Sequence, residues 1–156
     1  MKVTFTLNGK TVVADTPAGM TLRDYLRRGG FFGVKFASEY GETGSDTVLV
    51  NNRALNAGLL LMHTLEGRRV ETIESLATGT DVHPLQEAFL AAGAIQCGYC
   101  TPAMILAAEA LLRENPGPTE EELREALAGV YCRCTGYVKP IEAVLTYYFK
   151  RKEDLG

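Results

Sequence analysis

The 156-residue chain contains 16 lysines and arginines against 19 aspartates and glutamates, which gives a net charge of −3. This length allows one domain or two small ones, with enough core to fold without a metal or a disulfide. The acidic balance argues against a nucleic-acid-binding protein and against a polybasic membrane-surface protein. Polar residues and two cysteines interrupt the apolar stretch at 88–112, so we predict buried helices there and no membrane span. The alternating amino-terminal residues form no secretion signal and predict a cytoplasmic protein.

The first part of the chain has the pattern of a small β-rich domain. Alternating apolar residues predict a strand that begins at Val3, and Asn8-Gly9 is a favoured two-residue hairpin turn before the partner strand. Thr21 is placed to cap a short helix that Gly29-Gly30 ends. Further strands are predicted at 47–50, 53–55, 59–62 and 69–73. A hairpin, a helix and then more strands is the order of a β-grasp, ferredoxin-like domain.

The second part of the chain has the pattern of four helices. Their predicted starts are marked by Pro84, by Thr101-Pro102, by the capping box from Thr119 to Glu122, and by Pro140. Gly79-Thr80-Asp81 has the composition of a linker. We therefore predict an α+β protein with a β-grasp domain at 1–74, a linker at 75–82 and a helical domain, a four-helix bundle, at 83–156.

The four cysteines form two tight pairs, Cys97 with Cys100 and Cys132 with Cys134, separated by 31 residues. Disulfides are rare in a reducing cytoplasm, so four clustered thiols indicate a metal site. A structural zinc site also uses four thiolates, but its paired ligands usually have two to four residues between them, whereas Cys132 and Cys134 have only one. A 2Fe–2S cluster needs four thiolates and no open position, so this set favours an iron–sulfur centre over zinc.

The predicted helices bring the two cysteine pairs to comparable places. One pair lies between the first and second helices of the bundle, and the other lies between the third and fourth. Loops at one end of a four-helix bundle can converge, so all four sulfurs can meet. Cys97 and Cys100 also come just before a helix amino terminus, whose free N–H groups and positive dipole favour an anionic thiolate centre.

Two cysteine-containing segments carry a family resemblance. The segments 96–102 (QCGYCTP) and 132–137 (CRCTGY) are similar to those of the small iron–sulfur subunit of molybdenum hydroxylases, of the xanthine dehydrogenase and carbon monoxide dehydrogenase type. The resemblance implies an electron-transfer subunit, without a substrate site of its own, that binds a large subunit carrying molybdopterin. It implies that Gln96 and Cys134 lie near that pterin, and it leaves open whether a flavin subunit with FAD is also present.

The chain departs from this family in its first part. Family members carry a second, plant-type 2Fe–2S cluster there, and the corresponding ligand positions in this chain are Ser38, Thr43, Asp46 and Gly58. None of these residues is a cysteine, and iron–sulfur clusters are held mainly by soft thiolates. We therefore predict one cluster per chain, a first domain without a cluster, and an electron route that bypasses that domain.

A second function class also fits the thiol pairs. A structural or regulatory adaptor could bind zinc, or a labile cluster, at the same four cysteines and dock on a partner without transferring electrons. The absence of the first cluster's ligands gives this alternative some weight. The two hypotheses differ in a simple observable, because an iron–sulfur protein is brown and bleaches on reduction, whereas a zinc protein is colourless.

Overall fold

The computed structural model describes residues 1–77 and 79–154, which contain one five-stranded sheet and five α-helices. The protein is of the mixed α+β class. The strands are β1 (Lys2–Leu7), β2 (Lys10–Asp15), β3 (Thr47–Val50), β4 (Arg53–Asn56) and β5 (Arg69–Glu71). The helices are α1 (Leu22–Arg28), α2 (Pro84–Ala91), α3 (Thr101–Glu114), α4 (Glu120–Ala128) and α5 (Val138–Asp154). In the described residues, no helix is long and apolar enough to cross a membrane.

The sheet has the strand order β2-β1-β5-β3-β4 and is built from two hairpins joined by β5. β1 pairs with β2 in the antiparallel sense and with β5 in the parallel sense, whereas β3 pairs antiparallel with both β4 and β5. The predicted turn at Asn8-Gly9 is confirmed, with φ of 49° and 79°. These left-handed angles match the twist of the flanking strands, which is why Asn-Gly favours this turn.

α1 packs on one face of the sheet and forms a first hydrophobic core. Thr21 accepts a hydrogen bond from the backbone N–H of Asp24 at 3.2 Å, which confirms the predicted cap. Leu22 and Leu26 are fully buried and join Phe5 and other inward-facing residues of β1. Burial of this apolar face supplies most of the driving force for so short a helix, because seven residues are too few to be stable alone.

β3 is buried on both faces of the sheet. All four of its residues are buried, but Val48 and Val50 belong to the first core, whereas Leu49 belongs to a second core formed mainly by helices. α3 covers the face from which Leu49 projects. Arg113 of α3 also forms ion pairs with Glu71 of β5 at 2.9 Å and with Glu109 at 2.9 Å. The two parts of the chain therefore share apolar and ionic contacts.

One predicted strand is wrong. Residues 59–62 do not form a strand, and short 3-10 helices occupy Ala57–Leu59 and Met62–Leu65, with a further one at Ile73–Ser75. Leu59 and Leu61 are exposed, whereas Met62 is buried. A short apolar run does not distinguish a strand from a tight helical turn, and here the segment follows the end of the sheet.

The four predicted helices of the second part are present, with two differences in α5. Pro84 begins α2 as predicted, after an N-cap at His83. α5 begins at Val138, two residues before the predicted Pro140, because proline is tolerated in the first turn of a helix. The sequence predicts a frayed tail at 150–156, whereas α5 continues to Asp154; residues 155–156 lie outside the described residues.

The capping box at the start of α4 predicts a measurable pH dependence of stability. The backbone N–H and the hydroxyl of Thr119 donate to Glu122 at 2.7 Å and 3.0 Å, and they hold the pKa of this carboxyl below its usual value. The stability from Glu122 is therefore present above the ordinary glutamate pKa of about 4.3 and is lost as the pH falls through the lowered pKa. We expect Glu122→Gln to unfold at a lower temperature than the wild type near neutral pH, with a gap that closes on acidification.

Thermal unfolding followed by circular dichroism across this pH range measures that gap. Glu121→Gln is the matched control, since Glu121 lies in the same helical turn, is exposed and carries the same charge. The control is expected to keep the wild-type pH profile. A gap for Glu122→Gln that stays constant with pH would contradict the role of its charge.

Candidate metal centre

The two cysteine pairs lie on connections between helices, as the sequence predicts. Cys97 lies in the segment between α2 and α3, and Cys100 occupies the N-cap position of α3. Cys132 and Cys134 lie in the segment between α4 and α5. Cys100 is buried, Cys132 is half-buried, and Cys97 and Cys134 are exposed. The site therefore has a buried side toward the helical core and an open side toward solvent.

The thiols lie near one another in two pairs, and each pair joins one cysteine from each motif. Cys132 raises the pKa of the Cys100 thiol, and the Cys97 thiol raises the pKa of Cys134. In the described residues, no three histidine, cysteine, aspartate or glutamate side chains are grouped as ligands of one metal ion. A two-by-two arrangement matches a two-iron cluster, in which each iron takes two protein ligands and sulfides complete its coordination. The chemistry and the pairing of these four donors thus fit a 2Fe–2S cluster.

The buried pair of thiols differs in acidity. Burial raises the pKa of the Cys100 thiol to about 12, and the hydrogen bond to Cys132 adds to that rise. Burial also disfavours ionisation of Cys132, but hydrogen bonds from the Thr135 hydroxyl and from the backbone N–H groups of Thr135 and Cys134 outweigh it and lower the pKa of its thiol. The sulfur of Cys132 lies 3.1 Å from the Thr135 hydroxyl. Donors are therefore in place around Cys132 to stabilise negative charge on sulfur.

In the exposed pair, Cys97 affects the pKa of the Cys134 thiol in two opposite directions. The backbone N–H of Cys97 donates to the sulfur of Cys134 and favours its thiolate. The side-chain hydrogen bond with Cys97 acts in the opposite direction, and with some desolvation the net pKa of Cys134 is raised. Binding of metal requires all such thiols to lose their protons, so a donor that favours the thiolate also favours metal binding.

Left-handed backbone conformations shape both cysteine segments. Gly98 has a φ of 80° between the first two cysteines, and Tyr137 has a φ of 66° after the second pair. The Tyr137 hydroxyl accepts the backbone N–H of Cys132 at 3.0 Å and donates to the carbonyl of Val130 at 3.1 Å. The aromatic side chain thus holds its own segment in a closed loop, which explains why a non-glycine residue adopts this angle.

Gln96 connects the two cysteine segments. Its side-chain amide donates to the carbonyl of Cys134 at 3.2 Å, and both residues are exposed at the open side of the site. The two residues that the resemblance places near a pterin are therefore neighbours in the structure.

Of the four positions predicted to have lost a cluster, three lie between α1 and β3, and Gly58 lies in the 3-10 helix after β4. Ser38 is half-buried and is hydrogen-bonded to the Glu42 carboxylate. Asp46 is buried, and its carboxylate accepts the backbone N–H of Gly58 at 2.6 Å. These residues offer hard oxygens or no side chain, so they do not fit an iron–sulfur cluster.

Comparisons with known proteins agree on one family. A family model described as a [2Fe-2S] binding domain matches residues 72–145. The small subunit of nicotine 6-hydroxylase from Paenarthrobacter nicotinovorans is 42% identical over 140 residues, which cover 89% of this chain and 84% of that protein. The small FeS subunit of nicotinate dehydrogenase from Eubacterium barkeri is 41% identical over 150 residues, covering 96% of this chain and 95% of that protein.

Solved structures give the same result. A chain of quinoline 2-oxidoreductase from Pseudomonas putida 86 superposes with a TM-score of 0.92 at 37% identity, and the match covers 100% of this chain and 97% of that one. The aldehyde oxidoreductase from Desulfovibrio desulfuricans superposes with a TM-score of 0.93 at 32% identity, but this chain spans only 17% of it. The fold thus occurs both as a separate chain and as one segment of a longer protein.

Proposed function

Because the chain belongs to the family of small iron–sulfur subunits of molybdenum hydroxylases, we propose that its four cysteines hold one 2Fe–2S cluster through which electrons leave a molybdenum–pterin centre. The chain is a non-catalytic, electron-transfer subunit of an oxidoreductase. The proposed ligands are Cys97, Cys100, Cys132 and Cys134. A cluster bound there takes up and passes on one electron at a time.

The observation that carries this proposal is the pairing of thiols across the two motifs. In each of the two pairs, one sulfur comes from the segment before α3 and the other from the segment before α5, and the two thiols are close enough to influence the pKa of one another. The backbone N–H groups near Cys132 and the amino terminus of α3 add positive partial charge around the sulfurs. Such donors stabilise the reduced, more negative form of a cluster and raise its reduction potential.

We also propose a division of the chain into a β-grasp domain at 1–74, a linker at 75–82 and a four-helix cluster-binding domain at 83–156. Two separate hydrophobic cores support this division, one between the sheet and α1 and one among the helices. Leu49 and Leu76 are exceptions, because both belong to the helical core although they precede residue 83. The linker is therefore anchored in the helical domain.

The proposed partner is a large molybdenum–pterin subunit, with its molybdopterin near Gln96 and Cys134. Both residues are exposed and mutually hydrogen-bonded, so a partner can reach them without rearranging the site. A flavin subunit with FAD is a further proposed partner, and the cytoplasm is the proposed compartment. No cluster is proposed in the first domain, so electrons are proposed to leave the helical domain by a route without that relay.

Iron analysis and spectroscopy of the purified full-length chain test the proposal. We expect about two irons per chain, a visible spectrum that bleaches on reduction, and one electron paramagnetic resonance signal from the reduced cluster. Stoichiometric zinc without iron would contradict the proposal and would favour the zinc-binding adaptor. Two distinct cluster signals from the isolated chain would contradict the assignment of a single cluster.

A further inference from the structure

Arg23 is a buried cation on the short helix α1. Only 6% of the residue is exposed, and its NH1 atom donates to the carbonyl of Ser38 at 3.0 Å. Its guanidinium carbon lies 4.4 Å from the centroid of the Phe36 ring, and its Nε pairs with Asp24 at 3.2 Å. Arginine is almost never buried to this degree unless it is paired, so these contacts identify a specific location for the charge.

Two further positions of the missing cluster site meet at this guanidinium. The Asp46 carboxylate is buried and accepts the N–H of Gly58 at 2.6 Å. A Cβ atom at Gly58 would lie 2.7 Å from Oδ2 of Asp46 and 2.8 Å from NH1 of Arg23, closer than real Cβ contacts allow. The anionic and cationic groups therefore flank Gly58, and they fit there because that residue has no side chain.

We propose that Arg23, Asp46 and the main chain of Ser38 and Gly58 form a polar plug that fills the place of the missing cluster. Three of the four former ligand positions contribute to the plug, but none contributes a metal ligand. The guanidinium donates to the carbonyl of Ser38, and the carboxylate accepts the N–H of Gly58. The plug makes the first part of the chain independent of iron.

The plug fixes a segment that contacts both cysteine loops. The Tyr99 hydroxyl donates to the carbonyl of Phe36 at 2.6 Å, next to the ring over which Arg23 lies. The backbone N–H of Tyr131 donates to the carbonyl of Thr43 at 2.8 Å. The segment between Phe36 and Asp46 therefore keeps its packing against the candidate metal centre without a metal of its own.

A double-mutant cycle of unfolding midpoints in the full-length chain, called the stability cycle below, tests the plug. It asks whether the Arg23 side chain occupies the space that a side chain at position 58 would need. Arg23→Leu, Gly58→Ala and the double variant are compared with the wild type by thermal unfolding. We expect each single variant to lower the unfolding midpoint by roughly 5 °C or more, a shift typical of a clear loss of stability in a domain this small. The double variant is expected to fall well short of the sum, because removal of the guanidinium makes room for the new methyl group. Additive shifts would overturn the proposal.

Restoring the thiols tests whether the plug excludes a cluster. One variant carries Ser38→Cys, Thr43→Cys, Asp46→Cys and Gly58→Cys with Arg23 retained, and a second adds Arg23→Leu. We expect the first to stay near two irons per chain and the second to approach four, with a second paramagnetic signal. A second cluster in the presence of Arg23 would overturn the proposal, and so would a folded five-fold variant that stays near two irons.

These outcomes are separable from a failure of the proposed function. If the wild-type chain held no cluster at 97, 100, 132 and 134, the proposed electron-transfer site would be wrong, whereas the stability cycle would still decide on the plug. Where a multiple-cysteine variant does not fold, the stability cycle alone decides, because it needs no added thiol and no iron.

Discussion

Cys100→Ser is expected to abolish cluster binding while it leaves the fold intact. Cys100 is the buried ligand of the proposed set and also the N-cap residue of α3. Serine is close in size to cysteine, and Cys100 makes no side-chain capping hydrogen bond that the substitution would remove, so the helix keeps its start. A hard hydroxyl oxygen is a poor replacement for a soft thiolate, so we expect iron to fall from about two per chain to background. Iron analysis, the visible spectrum and circular dichroism measure both parts of this prediction.

Tyr99→Phe is the matched control for that variant. Tyr99 lies between the two cysteines of the first motif, and only its hydroxyl, which donates to the carbonyl of Phe36, is removed. The control is expected to keep its iron and to lose about 1 kcal/mol of unfolding free energy, the usual value of one hydrogen bond. A Cys100→Ser protein with unchanged iron content would show that the ligand set is wrong.

Gly44→Ala is expected to cause the largest loss of stability of any single methyl addition considered for this chain. Gly44 has a φ of 59°, and a Cβ atom there would lie 1.9 Å from the carbonyl oxygen of Gly129 and 3.2 Å from Cα of Val130. The obstacle is backbone rather than a mobile side chain, so the loop must move away from the end of α4. We expect a loss of about 3–5 kcal/mol in the free energy of unfolding, measured by chemical denaturation.

Gly67→Ala is the control that measures the cost of a left-handed backbone angle in the free energy of unfolding without the steric clash. Gly67 has a similar φ of 69°, but a Cβ atom at this position meets nothing within 4 Å. The control is therefore expected to lose only about 1 kcal/mol, the cost of a left-handed conformation. Equal losses of unfolding free energy for the two variants would show that the contact between Gly44 and Gly129 does not hold the first part of the chain against the helices.

Local signals in the sequence predicted most of the secondary structure. The turn at Asn8-Gly9, the cap at Thr21 and the capping box that begins at Thr119 all have the predicted geometry. Each of these features is formed by residues within a few positions of one another, so both partners of the interaction can be recognised in one short segment of the sequence. The strand predicted at 59–62 depended on apolar character alone, and in the structure two 3-10 helices overlap the ends of that segment instead.

Contacts between distant residues could not be predicted in the same way. The spacing of the cysteines indicated a metal site, but it did not reveal that Cys100 lies near Cys132 and that Cys97 lies near Cys134. Arg23 was not identified from the sequence at all, because a charged residue on a short helix normally faces solvent. The signal that could have found it is the set of missing cysteines, since the space left by a cluster requires some other group to fill it.

Because β3 is buried on both faces, it limits how the sheet of one subunit can be joined to the helices of a related subunit. Leu49 lies in the helical core, although the strand that carries it belongs to the sheet. A hybrid made by joining the first 74 residues of this chain to the helices of a relative would therefore transplant one leucine into a foreign core. Chimeras of this kind need matched residues on the facing side of α3, so the two halves are exchangeable only as co-adapted pairs.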